Sequence, residues 1–334
     1  MKKITMMDVA ARAGVSKSTV SQYLNKRFEY MSKDTKKKVE EAIAELGYVP
    51  NYIAKSLKQK STSTIGVIVA NILHSFSTKV IRAIEDVCNK NNIHVIVCNA
   101  DDQPEKEKRY IEMLMAKQVD GLIVFPTGSN QDQYKSLVEA SFPIVFMDRK
   151  VEDLDICTVL LDNEKAIKLA VQALHQKGYD RIAMVTTPIL QNITPRVERI
   201  EGFRDSLDEL GLPVNEKYIK SMELIDIQEG LQELFGSNEP PDALIAGNDL
   251  VLMEILRFLK KYSISVPDEV ALIGIDDVEY AEIWSPSITT VAQPAKEMGR
   301  FAAEELLKQI RKEGLEDSQL LNRFEPQIVI RESC

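Results

Sequence analysis

Apolar residues recur at helical spacing over the first 60 positions, and from residue 64 onward they gather into short unbroken runs. Val9, Ala10 and Ala13 share one face of a helix predicted over 6–13. Val20 and Leu24, four apart, do the same over 17–24, and Val39, Ile43 and Leu46 form the inner stripe of a third helix over 32–46. The punctuation agrees with these bounds. Thr5 and Ser16 are N-cap residues, Asp8 suits a positive first turn, and Gly14 and Gly47 permit sharp exits. Helix, glycine turn, helix is the pattern of a helix-turn-helix, with Val15 plugging the space between the helices. Pro50 then breaks the chain, the segment after it has the makings of a short helix, and residues 59–64 have the polar composition of a linker.

In the rest of the chain, apolar runs at 64–70, 94–100, 121–126, 143–148, 157–162, 181–187, 243–249, 270–276 and 288–294 predict strands. Many are too apolar throughout to be half-exposed, so they read as buried parallel strands. Helical stretches at 78–89, 104–116, 163–176, 199–210, 228–235 and 249–261 lie between them. Such alternation predicts an α/β core of the doubly wound kind. Its occurrence twice predicts two similar lobes, with a ligand cleft between them at the carboxyl ends of the strands.

Composition narrows the class. With 334 residues, 44% hydrophobic and 28% charged, the chain has room for two or three units and for large cores without staples. The four cysteines, Cys88, Cys98, Cys157 and Cys334, show no metal-ligand spacing and no disulfide framework, as expected of thiols in a reducing cytoplasm. No apolar run is long enough for a bilayer, and the first residues open no signal peptide, so the expected location is cytoplasmic, away from membranes. No nucleophile elbow, P-loop or metal motif is present, so neither an enzyme nor a bound cofactor is expected.

The net charge of −9 conceals an asymmetry. Residues 1–60 hold 13 Lys and Arg against 6 Asp and Glu, while the remainder holds 29 against 45. A solvated lysine-rich surface would explain the charge alone about as well as a face for a polyanion. The coincidence of turn, caps and basic surplus favours double-stranded DNA. In a helix-turn-helix the early residues of the second helix reach base edges, here Lys17 and Ser18, with Gln22 one turn on. Thr5, Ser16, Thr19, Ser21 and Asn25 are small hydrogen-bonders suited to phosphates.

The segments Asp8-Val9-Ala10, Ala13-Gly14-Val15-Ser16, Thr19-Val20-Ser21, Leu24-Asn25, Glu45-Leu46-Gly47-Tyr48, Pro50-Asn51, Ala54 and Ser56-Leu57 together resemble the DNA-binding segment of the lactose-repressor (LacI/GalR) family. The resemblance runs on to Arg331-Glu332-Ser333 and so covers essentially the whole chain. It implies a helix-turn-helix domain over 1–49, a hinge helix and linker over 50–61, and an effector-binding core over 62–334 like a periplasmic sugar-binding protein. The first lobe is expected at 62–161 plus 291–320 and the second at 162–290 plus 321–334. In this family hinge helices pair in the operator's central minor groove, which assigns DNA contacts to Asn51, Ala54 and Leu57, with Leu57 as the wedge between base pairs. Where many members carry Arg after Thr-Val-Ser, this sequence has Gln22, which can pair with adenine where Arg suits guanine and then implies an altered half-site; a Gln22 that touches only phosphate or water is the alternative.

For the core, the resemblance carries over Arg199 in Arg199-Ile200-Glu201-Gly202-Phe203, Asn248 before Asp249, Asp276 before Asp277, and Phe76 with Ser77 in the first lobe. Asp148 at a strand end is a further candidate, and His74 reads as a loop residue. Carboxylates accept from paired sugar hydroxyls and a guanidinium donates as a fork; taken singly, Asp276 and Asp277 could equally cap a helix or bridge the lobes and Arg199 be a helix-terminal charge, and it is their coincidence at strand ends that favours a ligand cleft. Arg149 and Arg196 lie near these motifs and either answer a carboxylate on the ligand or merely face solvent. The segment Tyr23-Leu24-Asn25 with Phe28-Glu29-Tyr30-Met31-Ser32 resembles, within the family, the regulators of 2-keto-3-deoxygluconate and uronate catabolism. The expected function is therefore a repressor of carbohydrate catabolism, a homodimer on a near-palindromic operator, released by a sugar or sugar acid. A sugar receptor, a sugar-acting enzyme and a catabolite regulator using a protein corepressor are the rival readings.

Overall fold

The computed structural model describes residues 4–29, 31–49, 61–189, 192–313 and 319–334. Asn51, Ala54 and Leu57, the expected hinge contacts, lie outside the described residues. The chain divides into two units, residues 1–62 and 63–334.

The first unit contains α1 (Met6–Ala13), α2 (Lys17–Leu24) and α3 (Lys33–Leu46). The first two start on their expected caps, Thr5 and Ser16, and Ser32, expected as the first residue of the third helix, is its N-cap. The Asp8 carboxylate accepts the Thr5 N–H at 2.7 Å while Thr5 Oγ1 accepts from Asp8 N–H at 3.4 Å, a reciprocal capping box. Ser16 and Ser32 accept from Thr19 N–H and Thr35 N–H, each at 3.1 Å. Gly14 sits at φ +66°, in the left-handed region that a side chain would strain, and so turns the chain from α1 into α2. Val9, Val20 and Val39 are fully buried with Ala10, Ala13, Ala42 and Tyr48. Each buried valine contributes about 1.5–3 kcal/mol. On α3 the smaller Ala42 takes the central place, and Ile43 and Leu46 pack half-buried around it.

The second unit holds two sheets of six strands. In chain order its elements are β1 (Thr64–Val69), α4 (Ser75–Lys90), β2 (His94–Asn99), α5 (Pro104–Ala116), β3 (Gly121–Val124), α6 (Gln131–Glu139), β4 (Ile144–Met147), β5 (Thr158–Leu161) and α7 (Asn163–Gln176). They continue with β6 (Ile182–Thr186), α8 (Thr194–Glu209), β7 (Ile219–Ser221), α9 (Ile227–Phe235), β8 (Ala243–Ala246), α10 (Asp249–Tyr262), β9 (Ala271–Ile275) and α11 (Glu279–Ile283). The last are β10 (Thr289–Ala292), α12 (Ala295–Arg311), β11 (Leu321–Phe324) and β12 (Gln327–Val329).

The first sheet runs β11-β5-β4-β3-β1-β2 and the second β12-β10-β9-β8-β6-β7. All pairings are parallel except that of β12 with β10. Each sheet is covered on both faces, which is why its central strands are apolar throughout. Residues such as Ile65 and Val67 face α4 and α12, while Ile68 and Leu122 face the opposite layer with α5 and α6.

The lobe boundaries differ from expectation in two places. β10 belongs to the second sheet, so residues 291–292 are in the second lobe and the crossover falls at Gln293–Pro294. Residues 321–324 form β11 at the edge of the first sheet, so the last crossover falls at Glu325–Pro326 rather than at 321. β11 is a half-exposed edge strand with polar residues in it and shows no apolar run. What holds it is its ladder with β5 and the packing of Phe324 on Phe301, ring centroids 5.6 Å apart.

Candidate functional site

In the first unit, α2 presents Lys17 and Ser18 at its exposed N-terminal turn, with Gln22 half-buried one turn on. The turn's N–H groups add positive potential to the lysine. Thr5, Ser16 and Asn25 are exposed and Thr19 and Ser21 half-buried. Three of these have structural duties too. Thr5 and Ser16 cap helices, and Asn25 Nδ2–H donates to Ser21 O at 2.8 Å, closing α2. The segment leaving α2 is steadied by Phe28, whose ring meets Tyr23 edge-on at 5.8 Å and lies under Lys36 Nζ at 4.2 Å.

In the second unit a cleft separates the two lobes, with about 560 Å³ of empty volume counting its open mouth. All seven expected effector residues line it: Phe76, Ser77, Asp148, Arg196, Arg199, Asn248 and Asp276. Phe76 and Ser77 come from the first turn of α4, Asp148 follows β4, Asn248 follows β8 and Asp276 follows β9. Asp148 and Asp276 adopt φ +67° and +84°, left-handed values that no glycine eases. Aspartate tolerates that region better than most residues, and such strain at strand ends collects at functional sites.

Arg199 is buried, 6% exposed. Its Nε–H donates to Asn163 Oδ1 at 2.9 Å and an Nη1–H to Gly247 O at 2.6 Å. Two of the five donors are thus fixed by the chain, which presents the guanidinium as a rigid fork. Asp276 accepts from Gln293 Nε2–H at 2.6 Å. Burial, and then the charge of Asp249, hold its carboxyl above the usual aspartate range. Asn248 Oδ1 accepts from Val251 N–H at 2.9 Å as the cap of α10, so its amide NH₂ is what it has for a ligand. Asp277 turns to Arg331 at 2.8 Å and Thr290 at 2.6 Å and serves as a clamp inside the second lobe.

At one end of the cleft Asp102 lies between Arg149 of the first lobe, at 2.8 Å, and Arg196 of the second, at 3.5 Å. Burial pushes Asp102 up, and the two guanidinium charges outweigh it, so its pKa stands lowered. Arg149 is buried and donates to Pro126 O at 3.1 Å, while Arg149 Nε, Thr187 Oγ1 and Gln293 Oε1 are buried with no hydrogen-bond partner among the described residues. Such groups suit a polar ligand rich in donors and acceptors.

Sequence reasoning missed Asp102, Thr187 and Gln293 and left His74 in a loop; all but Asp102 line the cavity and His74 is partnered. Asp102 and Thr187 had one usable signal, their position just past the ends of β2 and β6. Gln293 had none, because it sits on a crossover whose place depends on sheet pairing.

Residues 5–51 match the model of bacterial regulatory proteins of the lacI family, and residues 171–334 that of a periplasmic binding protein-like domain. The chain is 48% identical over 332 residues to a probable HTH-type transcriptional regulator, EndR, of Paenibacillus polymyxa, covering 98% of each chain. It is 36% identical to the HTH-type transcriptional regulator KdgR of Bacillus subtilis, covering 98% of this chain and 97% of that one. The lac repressor dimer bound to operator and the anti-inducer ONPF has the same fold, with TM-score 0.86 at 23% identity over 99% of each chain.

Proposed function

The chain belongs to the LacI family of bacterial regulatory proteins and is a DNA-binding regulator of transcription rather than an enzyme; from that premise we propose that it represses carbohydrate catabolism genes and is released by a small sugar acid bound between its lobes. It acts in the cytoplasm as a homodimer, with two copies of α2 on the half-sites of a near-palindromic operator. Lys17, Ser18 and Gln22 read bases; Thr5, Ser16, Thr19, Ser21 and Asn25 hold phosphates; Asn51, Ala54 and Leu57 enter the central minor groove. The described residues include no helix long and apolar enough to cross a membrane.

The observation that carries the effector reading is the convergence of Arg199, Asp276 and Asp148 from both lobes on one cleft. Asp276 and Asp148 accept from vicinal hydroxyls, Arg199 donates, and Phe76 covers an apolar face of the ring. Arg149 and Arg196 support an acidic ligand, since a ligand carboxylate is a second partner for the fork pair that Asp102 now bridges. An effector shifts the DNA-binding equilibrium only by its differential affinity for the two lobe arrangements, and about 1.4 kcal/mol suffices for a tenfold loss of DNA affinity.

The test is selection of random duplexes on the purified protein with and without uronic and 2-keto-3-deoxy sugar acids. Enrichment of a near-palindrome that one acid abolishes, and that Arg199→Lys no longer releases, is the expected result. A palindrome indifferent to every acid and released by a neutral sugar overturns the acidic ligand. No enrichment at moderate salt overturns the repressor.

A further inference from the structure

Helix α4 of the first lobe begins at Ser75, after His74 in the N-cap place, yet the His74 side chain caps no N–H of its own helix. The capping oxygen arrives from the other lobe. Asp249, first residue of α10, accepts the Ser75 N–H on Oδ2 at 2.6 Å and holds His74 Nδ1 on Oδ1 at 2.6 Å. Asp249 is itself fixed. Its Oδ1 also accepts from Leu250 N–H at 2.9 Å, its backbone carbonyl accepts from Tyr280 Oη–H at 2.8 Å, and it is 5% exposed. Cap, helix dipole and imidazole thus meet on one carboxylate across the cleft, beside Phe76 and Ser77.

We propose that Asp249 caps the helix of the opposite lobe and, with His74, forms a proton-dependent latch that draws the lobes together. Asp249 is a positioning residue here: it orients the turn that carries Phe76 and Ser77 and offers no oxygen to the effector. The groups around His74 set the sign. Asp249 and Asp276 face it from the second lobe and Asp102 from its own, with Arg199 beside Asp276 and Arg149 and Arg196 against Asp102. Burial works against the imidazolium, but Asp249 first, then Asp276 and Asp102, outweigh it, and the His74 pKa is raised. A proton bound more tightly when the lobes are together favours that state. The stabilisation is full below the ordinary histidine pKa of about 6.5 and is lost as pH rises through the raised value.

The four native cysteines are buried, so spin labels on exposed Glu139→Cys in the first lobe and Asp208→Cys in the second report lobe distance in the full-length chain. Between about pH 8 and about pH 5.5 the short-distance population is expected to grow in the parent, to be indifferent to pH in His74→Gln, and to be depleted throughout in Asp249→Asn. With only three histidines in the chain, the His74 ring resonance is identified by its loss in His74→Gln. Its titration midpoint is expected above about 6.5 in the parent and to fall in Asp249→Asn. A His74 midpoint at or below that value, or lobe distances that follow pH equally in the parent and His74→Gln, overturns the latch. Neither readout uses an effector, so the failure of the sugar-acid reading leaves this test intact.

Discussion

Arg323 of the first lobe and Glu198 of the second form a bidentate pair, Nη2 to Oε1 at 2.6 Å and Nη1 to Oε2 at 3.0 Å. The pair stands at the hinge, since Arg323 is in β11 just before the last crossover and Glu198 is the residue before Arg199 on α8. Asn163, just past the first crossover, donates to Glu198 Oε2 at 2.9 Å and accepts from Arg199 Nε–H at 2.9 Å. One amide thus connects the cleft guanidinium to the carboxylate that ties two crossovers together, so the same contacts that hold the crossovers also position Arg199.

Arg323→Met is therefore expected to destabilise the core by about 1–3 kcal/mol, because Glu198 stays buried with one partner fewer, while the partial exposure of Arg323 softens the loss. Urea unfolding measures it. The double variant with Glu198→Gln is expected to recover part of the loss, and additive losses would show that the pair is not coupled.

Gly202 explains the spacing of the Arg-x-x-Gly-Phe segment. A Cβ there would stand 2.9 Å from Glu164 Cα, so α8 packs backbone to backbone on α7. Gly202→Ala must part the two helices and is expected to cost about 1–3 kcal/mol. It also displaces Arg199, one turn earlier, so effector response is expected to fall further than thermal stability. Equal effector affinity in Gly202→Ala, read by calorimetry, would contradict this.

Gln22 lies one turn past the exposed start of α2. Gln22→Arg is expected to move half-site preference towards guanine at one position, with discrimination of about 1–3 kcal/mol, or roughly fivefold to 150-fold. Binding to single-base operator variants reads it. A uniform change across all variants would instead make Gln22 a backbone contact.

Burial pushes the thiols of Cys88 and Cys157 up to about 11. With all four cysteines buried, alkylation near neutral pH is expected to stay negligible in the folded protein and to go to completion in denaturant. A thiol that reacts promptly in the native state would show an opening that this packing does not contain.

Local physics was legible in the sequence. The caps at Thr5 and Ser16, the left-handed exit at Gly14, and the buried strands all depend on a few neighbouring residues and on periodicity, which the chain carries on its face. The cleft residues at strand ends followed from the doubly wound plan and from family resemblance, and the structure gathers them in one cavity. Tertiary structure alone decided where the chain crosses between lobes. β11 belongs to the first sheet because Phe324 finds Phe301 and a free edge of β5, and no local pattern encodes that choice. It also decided partners far apart in sequence. His74 reads as a loop residue until Asp249, 175 positions away, is brought to 2.6 Å, and nothing local singles out Glu198, which Arg323 and Asn163 meet only in the folded core. Periodicity fixes which face a residue is on, whereas a charge buried against another charge is chosen by packing of the whole core, because only there is water excluded strongly enough for the pair to matter.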